Sequence, residues 1–231
     1  MAEIILNEWE TAFFGRRIGR LLLKNVPNRP LAGELFADFA LVAAKISANE
    51  TALLHYLQHN QFQWVEGELL FVLPLPSHPL LELAVATQAD LAALTALFGN
   101  AFPNSRFRMP YFSASENQRF YRQWIINAVR GSFDDVCLII RRQGQIVGGV
   151  SVRLADDNAD IGLLAVAASE QGNGVGRALL HGAMGWAKQQ GAAALRVRTQ
   201  SGNLAAIRLY QRIGAVPQDL HYWLYRNAHS V

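Results

Sequence analysis

A glycine-rich turn joins an apolar strand to a long amphipathic helix within residues 164–177. The turn carries Gly172, Gly174 and Gly176, and a glycine lacks the side chain that would keep a ligand away from the backbone. The unpaired N–H groups at a helix start and the helix dipole both favour an anion. The sequence therefore predicts a phosphate-binding loop at a strand-to-helix junction.

The pattern of this loop excludes two common kinds of phosphate site. It lacks the Gly-Lys-Ser/Thr ending of nucleotide-triphosphate loops, and no ribose-binding acid follows a strand some 20 residues later, as a dinucleotide site requires. What remains, Gln171-x-x-Gly174-x-Gly176 after a strand, resembles the pyrophosphate loop of the GNAT superfamily of CoA-dependent N-acetyltransferases. The resemblance implies acetyl-CoA as co-substrate and no metal. The cofactor contacts it implies are Leu164, Ala165, Val166, Gln171, Gly172, Asn173, Gly174, Val175, Gly176, Arg177, Asn203 and Leu209.

Composition narrows the setting of this activity. The formal net charge of +3 is too small to indicate a nucleic-acid partner, and no apolar run approaches the roughly 18 residues of a membrane span. The first ten residues show no secretory signal, and Cys137 is the only cysteine, so an internal disulfide is impossible. The six histidines show no metal-ligand spacing. These features favour a cytoplasmic enzyme.

The order of predicted elements gives the fold class. Three antiparallel strands, then strand, helix, strand and helix, are predicted over residues 81–231, with two helices after the first strand. This order resembles the GNAT fold, an α/β (α+β) class with a mixed, mostly antiparallel central sheet. Residues 1–80 are predicted to form a separate small α/β unit with a helix near Leu53 and a strand over 62–73. The prolines at 74, 76 and 79 mark the boundary, and the small unit is expected to contribute to the acceptor site.

A second motif lies in the last predicted helix. Asn203, Ala206, Tyr210 and Gly214 fit the GNAT pattern N-x-x-A-x-x-x-Y-x-x-x-G, and Asn203 is a good helix N-cap. The resemblance implies that Asn203 contacts the pantetheine arm and that backbone N–H groups near Leu164 stabilise the oxyanion. A tyrosine hydroxyl, with a pKa near roughly 10, is suited to protonate a departing thiolate. We expect Tyr210 to be that acid, with direct transfer and no acetyl-enzyme.

The acceptor amine must lose a proton, and two glutamates are candidates for taking it. Glu66 and Glu68 alternate with neighbours along a predicted strand, so both point to one face. Solvation of a strand edge is the alternative explanation for both. If one is catalytic, Glu66 is the first choice and Glu68 the second, either directly or through water.

A narrower resemblance concerns the acceptor. Residues 9–15, 65–68, 105–108, 119–131 and 222–226 resemble the dTDP-fucosamine acetyltransferases, which act in enterobacterial common antigen synthesis. It implies acetylation of the 4-amine of dTDP-4-amino-4,6-dideoxy-galactose by a homodimer. Arginine suits a pyrophosphate and an aromatic ring suits a base. The acceptor residues predicted on this ground are Arg106, Tyr111, Arg119, Tyr121 and Arg130. A protein N-terminal acetyltransferase and a catalytically silent acetyl-CoA-binding module remain the alternatives.

Overall fold

The computed structural model describes residues 2–23, 25–76 and 81–227. The helices are α1 (Glu8–Phe14), α2 (Thr51–His59), α3 (Leu91–Gly99), α4 (Ala114–Val129), α5 (Val175–Gln189) and α6 (Leu204–Arg212). The strands are β1 (Glu3–Leu6), β2 (Ile18–Leu22), β3 (Leu41–Ser47), β4 (Gln63–Pro74), β5 (Ala84–Val85), β6 (Val136–Arg142), β7 (Gln145–Ala155), β8 (Asn158–Val166), β9 (Ala194–Gln200) and β10 (Val216–Asn227).

The chain divides into two compact units. Unit 1 comprises Met1–Leu69, Gln200–Gly202 and Asp219–Val231, and unit 2 comprises Leu70–Thr199 and Asn203–Gln218. Strands β4 and β10 each contribute residues to both units. The predicted boundary after residue 80, with Pro79, lies outside the described residues. Division into 1–80 and 81–231 therefore stays a prediction, and the compact units follow other bounds.

Unit 1 is built on strands in the order β1, β2, β3, β10, β4. β2 runs parallel to β3, and β10 pairs antiparallel with β3 from His221 opposite Ser47 to Asn227 opposite Leu41. One face of this sheet buries an apolar core with α2. Its members are Leu21, Phe36, Phe39, Val42, Ala44, Ile46, Leu53, Leu57, Phe62 and Leu224. The C-terminal strand is thus a central part of the first unit.

Unit 2 has its strands in the order β4, β9, β8, β7, β6, β5, with helices on both faces. β5 to β8 pair antiparallel and β8 pairs parallel with β9. Two consecutive glycines of β7 leave room for α5 and α3 to pack closely on the sheet. A Cβ on Gly148 would lie 2.9 Å from Val175 of α5, and one on Gly149 would lie 3.1 Å from Phe98 of α3. Helix α5 and helix α3 therefore cover opposite faces of β7.

Most predicted elements of unit 2 are found within one or two residues of their expected bounds. The predicted strand over 82–86 is shorter, since only Ala84 and Val85 pair. In unit 1, α1 and the strands β1 to β3 were not predicted. Within the described residues, no helix is both long and apolar enough to cross a bilayer.

Candidate active site

The predicted phosphate loop lies between β8 and α5. After a 3-10 turn over Ala168–Glu170, residues 171–174 are exposed, and Gly172 and Gly174 both have φ of +80°. This backbone conformation is strained for residues with a side chain. A Cβ on either glycine would have no atom within 4 Å, so the backbone faces open space. The two glycines are needed here for conformation, and the open space leaves room for a ligand.

The start of α5 offers unpaired donors to that space. The first intrahelical bond runs from the Ala178 N–H to the Gly174 carbonyl, at 3.0 Å. Within the described chain, the N–H groups of Val175, Gly176 and Arg177 have no acceptor, and the first turn holds no acidic residue. Helix starts of this kind bind phosphate. The start of α5 therefore has the free backbone donors that a bound diphosphate would require.

Gly176 also brings two helices together. A Cβ at this position would lie 3.0 Å from Cδ2 of Leu209, which belongs to α6. A larger residue would have to push Leu209 aside. Gly176 and Leu209, both predicted cofactor contacts, are thus neighbours in unit 2.

Arg142, on β6, holds the loop in place through contacts with two of its residues. Arg142 forms an ion pair with Glu170, and its second terminal nitrogen donates to the Asn173 carbonyl at 3.2 Å. The Asn173 side-chain amide donates to Glu170 at 3.3 Å, and Gln171 Nε2 donates to the Val166 carbonyl at 3.4 Å. Sequence reasoning missed Arg142, because it lies on another strand far from the loop in the chain.

The strands open beside the loop. β8 and β9 pair only from Ala159 opposite Leu195 to Ile161 opposite Val197, so the rest of β8 separates from β9. A register shift between Val150 and Val152 distorts the pairing of β7 with β8 at the same level. The Leu163 N–H donates instead to Oγ of the fully buried Ser151, at 3.0 Å. The Leu164–Val166 segment thus separates from β9, and Ser151, which was not predicted, supports its distortion.

Helix α6 begins and is anchored as its motif predicts. Asn203 Oδ1 accepts from the Ala206 N–H at 3.2 Å, so Asn203 is the N-cap. Tyr210 is only 4% exposed, and its ring packs on Phe71 at 5.6 Å between centroids. No described residue hydrogen-bonds the Tyr210 hydroxyl, and burial raises its pKa well above the ordinary value. The hydroxyl is therefore protonated at neutral pH.

The two glutamates differ in their partners in unit 1. Glu68 Oε1 lies 2.5 Å from Lys45 Nζ, and Oε2 accepts from Trp223 Nε1 at 3.0 Å. Glu66 is 7% exposed, and its Oε1 accepts from the Gly67 N–H at 3.0 Å. Glu68 thus has a charged and a neutral donor among its contacts, and Glu66 accepts from the backbone next to it.

The predicted acceptor segment is held by a residue that the sequence did not reveal. Asn117, 4% exposed on α4, donates to the carbonyls of Phe102 and Phe107 and to Ser105 Oγ, at 3.1, 2.8 and 3.1 Å. These bonds fix the loop that carries Arg106, whose guanidinium lies 3.9 Å from the Phe107 ring centroid. Asn117 is therefore a positioning residue for the loop.

The other predicted acceptor residues are dispersed. Tyr111 is half-buried and burial raises its pKa, whereas Tyr121 is buried and packs 4.4 Å from Phe102 between ring centroids. Arg119 lies in the N-terminal half of α4 and Arg130 is its C-cap; both are exposed and stand about 16 Å apart along the helix axis. Tyr121 is thus part of an aromatic core, and the two α4 arginines do not form one cluster.

Cys137 is not a candidate nucleophile. Burial, with help from the charges of Asp134 and Asp90, raises the pKa of its thiol to about 12. Within the described residues, no group of three or more His, Cys, Asp or Glu side chains could hold a metal ion.

Residues 100–215 match the sequence profile of the acetyltransferase (GNAT) family. The match includes the phosphate loop, the splayed strands and helix α6. The chain belongs to the GNAT acetyltransferase family. Its predicted GNAT fold and its identification as an acetyltransferase are thereby confirmed.

Named relatives extend beyond this match. The chain is 42% identical over 221 residues to the dTDP-fucosamine acetyltransferase of Escherichia coli O6:H1, covering 94% of this chain and 95% of that protein. It is 26% identical over 192 residues to the spore coat polysaccharide biosynthesis protein SpsD of Bacillus subtilis, covering 80% and 65%. Among solved structures, a GNAT-family acetyltransferase from Colwellia psychrerythraea is 18% identical, covering 90% of this chain and 77% of that one with a TM-score of 0.60.

Proposed function

We propose that this chain acetylates the 4-amine of dTDP-4-amino-4,6-dideoxy-galactose with acetyl-CoA. The observation that carries the proposal is the 42% identity to a dTDP-fucosamine acetyltransferase across 94% of the chain. That similarity extends to the N-terminal residues outside the GNAT match over 100–215. Two enzymes that bind the same acceptor are expected to resemble each other there as well.

The co-substrate supplies an acetyl thioester, and this chain's residues would hold it by its diphosphate. The N–H groups of Val175, Gly176 and Arg177 stand in the first turn of α5 after Gly174 and favour an anion together with the dipole of the helix. Backbone groups of the end of β8 that does not pair with β9, over 164–166, would donate to the acetyl oxygen as it gains negative charge.

Two proton transfers complete the reaction. A C–N bond forms as the amine attacks the acetyl carbon, and the C–S bond breaks. The amine proton passes to Glu66, or as the second choice to Glu68, directly or through water. The Tyr210 hydroxyl gives its proton to the departing sulfur. Because burial raises its pKa, Tyr210 carries this proton at neutral pH.

The cellular location, oligomeric state and pathway of this chain are inferred from the same resemblance. We propose a cytoplasmic homodimer that makes a precursor of enterobacterial common antigen. The support is resemblance to the dTDP-fucosamine acetyltransferases, and sedimentation velocity measures the oligomeric state directly.

The deciding experiment offers three acceptors to the purified protein with acetyl-CoA and follows thiol release. We expect rapid release with dTDP-4-amino-4,6-dideoxy-galactose and none with dTDP-glucose or with a peptide bearing a free N-terminus. Release with the peptide alone would indicate protein N-terminal acetylation. Binding of acetyl-CoA without release in any arm would indicate a silent binding module.

A bulky loop variant tests the cofactor site separately. Gly174→Trp forces a side chain onto a backbone with φ of +80° and into the open space at the start of α5. We expect acetyl-CoA binding, measured by calorimetry, to be lost while the thermal unfolding midpoint falls only modestly. Gly202→Ala is the control, because a Cβ there has no atom within 4 Å and no positive φ to oppose it.

A further inference from the structure

A β-bulge lies in β8 just before the segment that separates from β9. On β7 the pairing with β8 stops at Val150 and resumes at Val152, which leaves Ser151 between them. On β8 two residues, Gly162 and Leu163, lie opposite that single serine. An extra residue of this kind bends a strand and re-aims the groups that follow it. The bulge therefore affects the direction of the backbone groups proposed above as donors to the acetyl oxygen.

A buried carboxylate occupies the space beside this bulge. Asp134 lies just before β6 and is fully buried. A Cβ on Gly162 would lie 2.4 Å from Asp134 Oδ2 and 2.8 Å from Asp134 Cγ, so a side chain at 162 would displace the carboxylate or the strand. Glycine is therefore required at 162 while Asp134 holds its place, and the carboxylate limits how far the bulge can move toward it.

Two donors from different elements hold the Asp134 carboxylate. Arg153 of β7 donates to Oδ1 at 2.9 Å, and Trp124 of α4 donates from Nε1 to Oδ2 at 3.0 Å. A buried carboxylate needs such partners because it has lost its hydration. The oxygen that meets Gly162 is thus the one that accepts from Trp124. The place of Asp134 is therefore set by α4 as well as by the sheet.

Helix α4 extends this contact toward the predicted acceptor segment. The Trp124 ring stacks on the Tyr121 ring with 6.4 Å between centroids and 12° between planes. Asn117, on the same helix, fixes the loop that contains Phe102 and Phe107. The helix, the loop, the carboxylate and the bulge all belong to unit 2. One buried carboxylate thus connects the helix that holds this loop to the distorted part of β8.

We infer that Asp134 is a positioning residue for acetyl transfer, which acts through Gly162 on the backbone of β8. Ser151 holds the bulge from the neighbouring strand, and Asp134 holds it from the face on which a side chain at 162 would lie. The donors that follow the bulge are thereby kept aimed at the acetyl oxygen. The inference rests on the proposed function only in placing those donors over 164–166, and it holds for any amine acceptor.

The first test compares the same substitution at two adjacent positions. Asp134→Asn replaces one accepting oxygen by an amide nitrogen that cannot accept. We expect kcat to fall about tenfold to a hundredfold, the effect of displacing a reacting group by about 1 Å. The KM and Kd for acetyl-CoA should change less than twofold, because the phosphate loop is not touched. Asp135→Asn is the matched control and should behave as wild type, since exposed Asp135 accepts from the Leu154 N–H and an amide oxygen can do the same.

A second test asks whether Asp134 acts through Gly162. Gly162→Ala should lower kcat, because the added Cβ would push the carboxylate or the bulge aside. Asp134→Ala removes the group that this Cβ would meet, so the double variant should be no slower than Asp134→Ala alone. Losses in ln kcat that simply add would show that the two residues act independently, and this would overturn the inference.

Trp124→Phe decides the matter if the other variants do not fold. It keeps an aromatic ring on α4 and removes the donor to Asp134 Oδ2, so kcat should fall about threefold to tenfold and the amide resonances of residues 163–166 should shift. Shifted resonances with an unchanged kcat would mean that Asp134 supports the fold alone, which overturns the inference.

The amide resonances also separate the inference from the proposed function. If wild-type protein binds acetyl-CoA but releases no thiol with the amino-sugar, the function is wrong. The Asp134→Asn resonances of residues 163–166 then decide the inference. A shift confined to these residues and their neighbours supports it, and unchanged resonances contradict it.

Discussion

The Tyr210 hydroxyl has no hydrogen-bond partner within the described chain. Burial raises its pKa, so the hydroxyl does not ionise easily. Replacing Tyr210 by phenylalanine removes one oxygen and leaves the ring packed on Phe71. We expect Tyr210→Phe to lower kcat by about 10²–10⁴-fold, the usual worth of a general acid, with acetyl-CoA affinity unchanged. Single-turnover kinetics and calorimetry measure the two effects. An unaffected kcat would remove Tyr210 from the mechanism.

The raised pKa of Tyr210 also gives a pH dependence. In the unfolded chain a tyrosine ionises near pH 10, whereas the folded chain keeps Tyr210 protonated to higher pH. Folding stability from this group is therefore complete below about pH 10 and is lost as pH rises above it. Urea unfolding at pH 8 and pH 10.5 should show a smaller loss for Tyr210→Phe than for wild type.

Ser151 accepts a hydrogen bond from the Leu163 N–H, which has no backbone partner on β7 because the pairing of β7 with β8 is distorted there. Ser151→Ala would bury the Leu163 N–H without a partner, at a cost of about 1–3 kcal/mol of unfolding free energy. Because the bond lies just before Leu164, kcat should also fall. Ser169→Ala, at an exposed position, should change neither. Equal stability of the two variants would show that the N–H finds another acceptor.

At this scale the sequence revealed residues with a local signature and missed those defined by distant partners. Asn203 and Gly174 were found because a cap and a loop glycine act on neighbouring backbone. Ser151, Asn117 and Arg142 act across strands or between a helix and a loop, at separations no short pattern encodes. Tyr121 shows the converse, since its buried packing cannot be distinguished in sequence from a binding role.

The phosphate loop as an element depends on the balance between Arg142 and Glu170. Without Arg142, the Glu170 carboxylate would stand unneutralised beside the diphosphate. We expect Arg142→Ala to weaken acetyl-CoA binding about fivefold to tenfold, by charge repulsion and loss of the Asn173 contact. Arg142→Ala combined with Glu170→Gln should recover part of that affinity. If the double variant binds more weakly than Arg142→Ala, repulsion is not the cause.

Elements were predictable where a boundary residue or a clear period marked them. The start of α5 was placed correctly because Gly174 precedes an apolar face of period 3.6. The capping box of Ser113 and Glu116 that opens α4 is a local signal of the same kind, but it was not used to predict that helix. β3 escaped because it is buried on both faces and carries Ala43 and Ala44, so neither alternation nor β-propensity shows.

At the scale of the whole molecule, most of β10 belongs to unit 1, so a substitution in its core residue Leu224 should destabilise unit 1 first. Leu224 of β10 is fully buried beside Val42 and Phe62 in the core of unit 1. We expect Leu224→Ala to cost about 2–5 kcal/mol and to lower hydrogen-exchange protection of β2 and β3 before that of β7 and β8. Leu154→Ala, with a side chain 43% exposed, is the control. Loss of protection confined to β7 and β8 would contradict the division into units.

The bounds of the compact units were hard to predict because they depend on contacts between segments far apart in the sequence. Prolines after β4 mark a break in the local chain, but compactness depends on which distant segments pair. No local composition records that residues near 221–227 belong beside residues 41–47.

The pairing of β3 with β10 also sets the order of events on the ribosome. β3 is synthesised early, but its partner emerges only after nearly all of unit 2, roughly ten to thirty seconds later at bacterial elongation rates. During that interval Val42, Ala44 and Ile46 lack the neighbour that will bury them. Unit 2, made in between, is free to fold first, so the unit whose strands are made earlier is completed later. Slower growth at low temperature and ample chaperone should therefore raise the yield of folded protein.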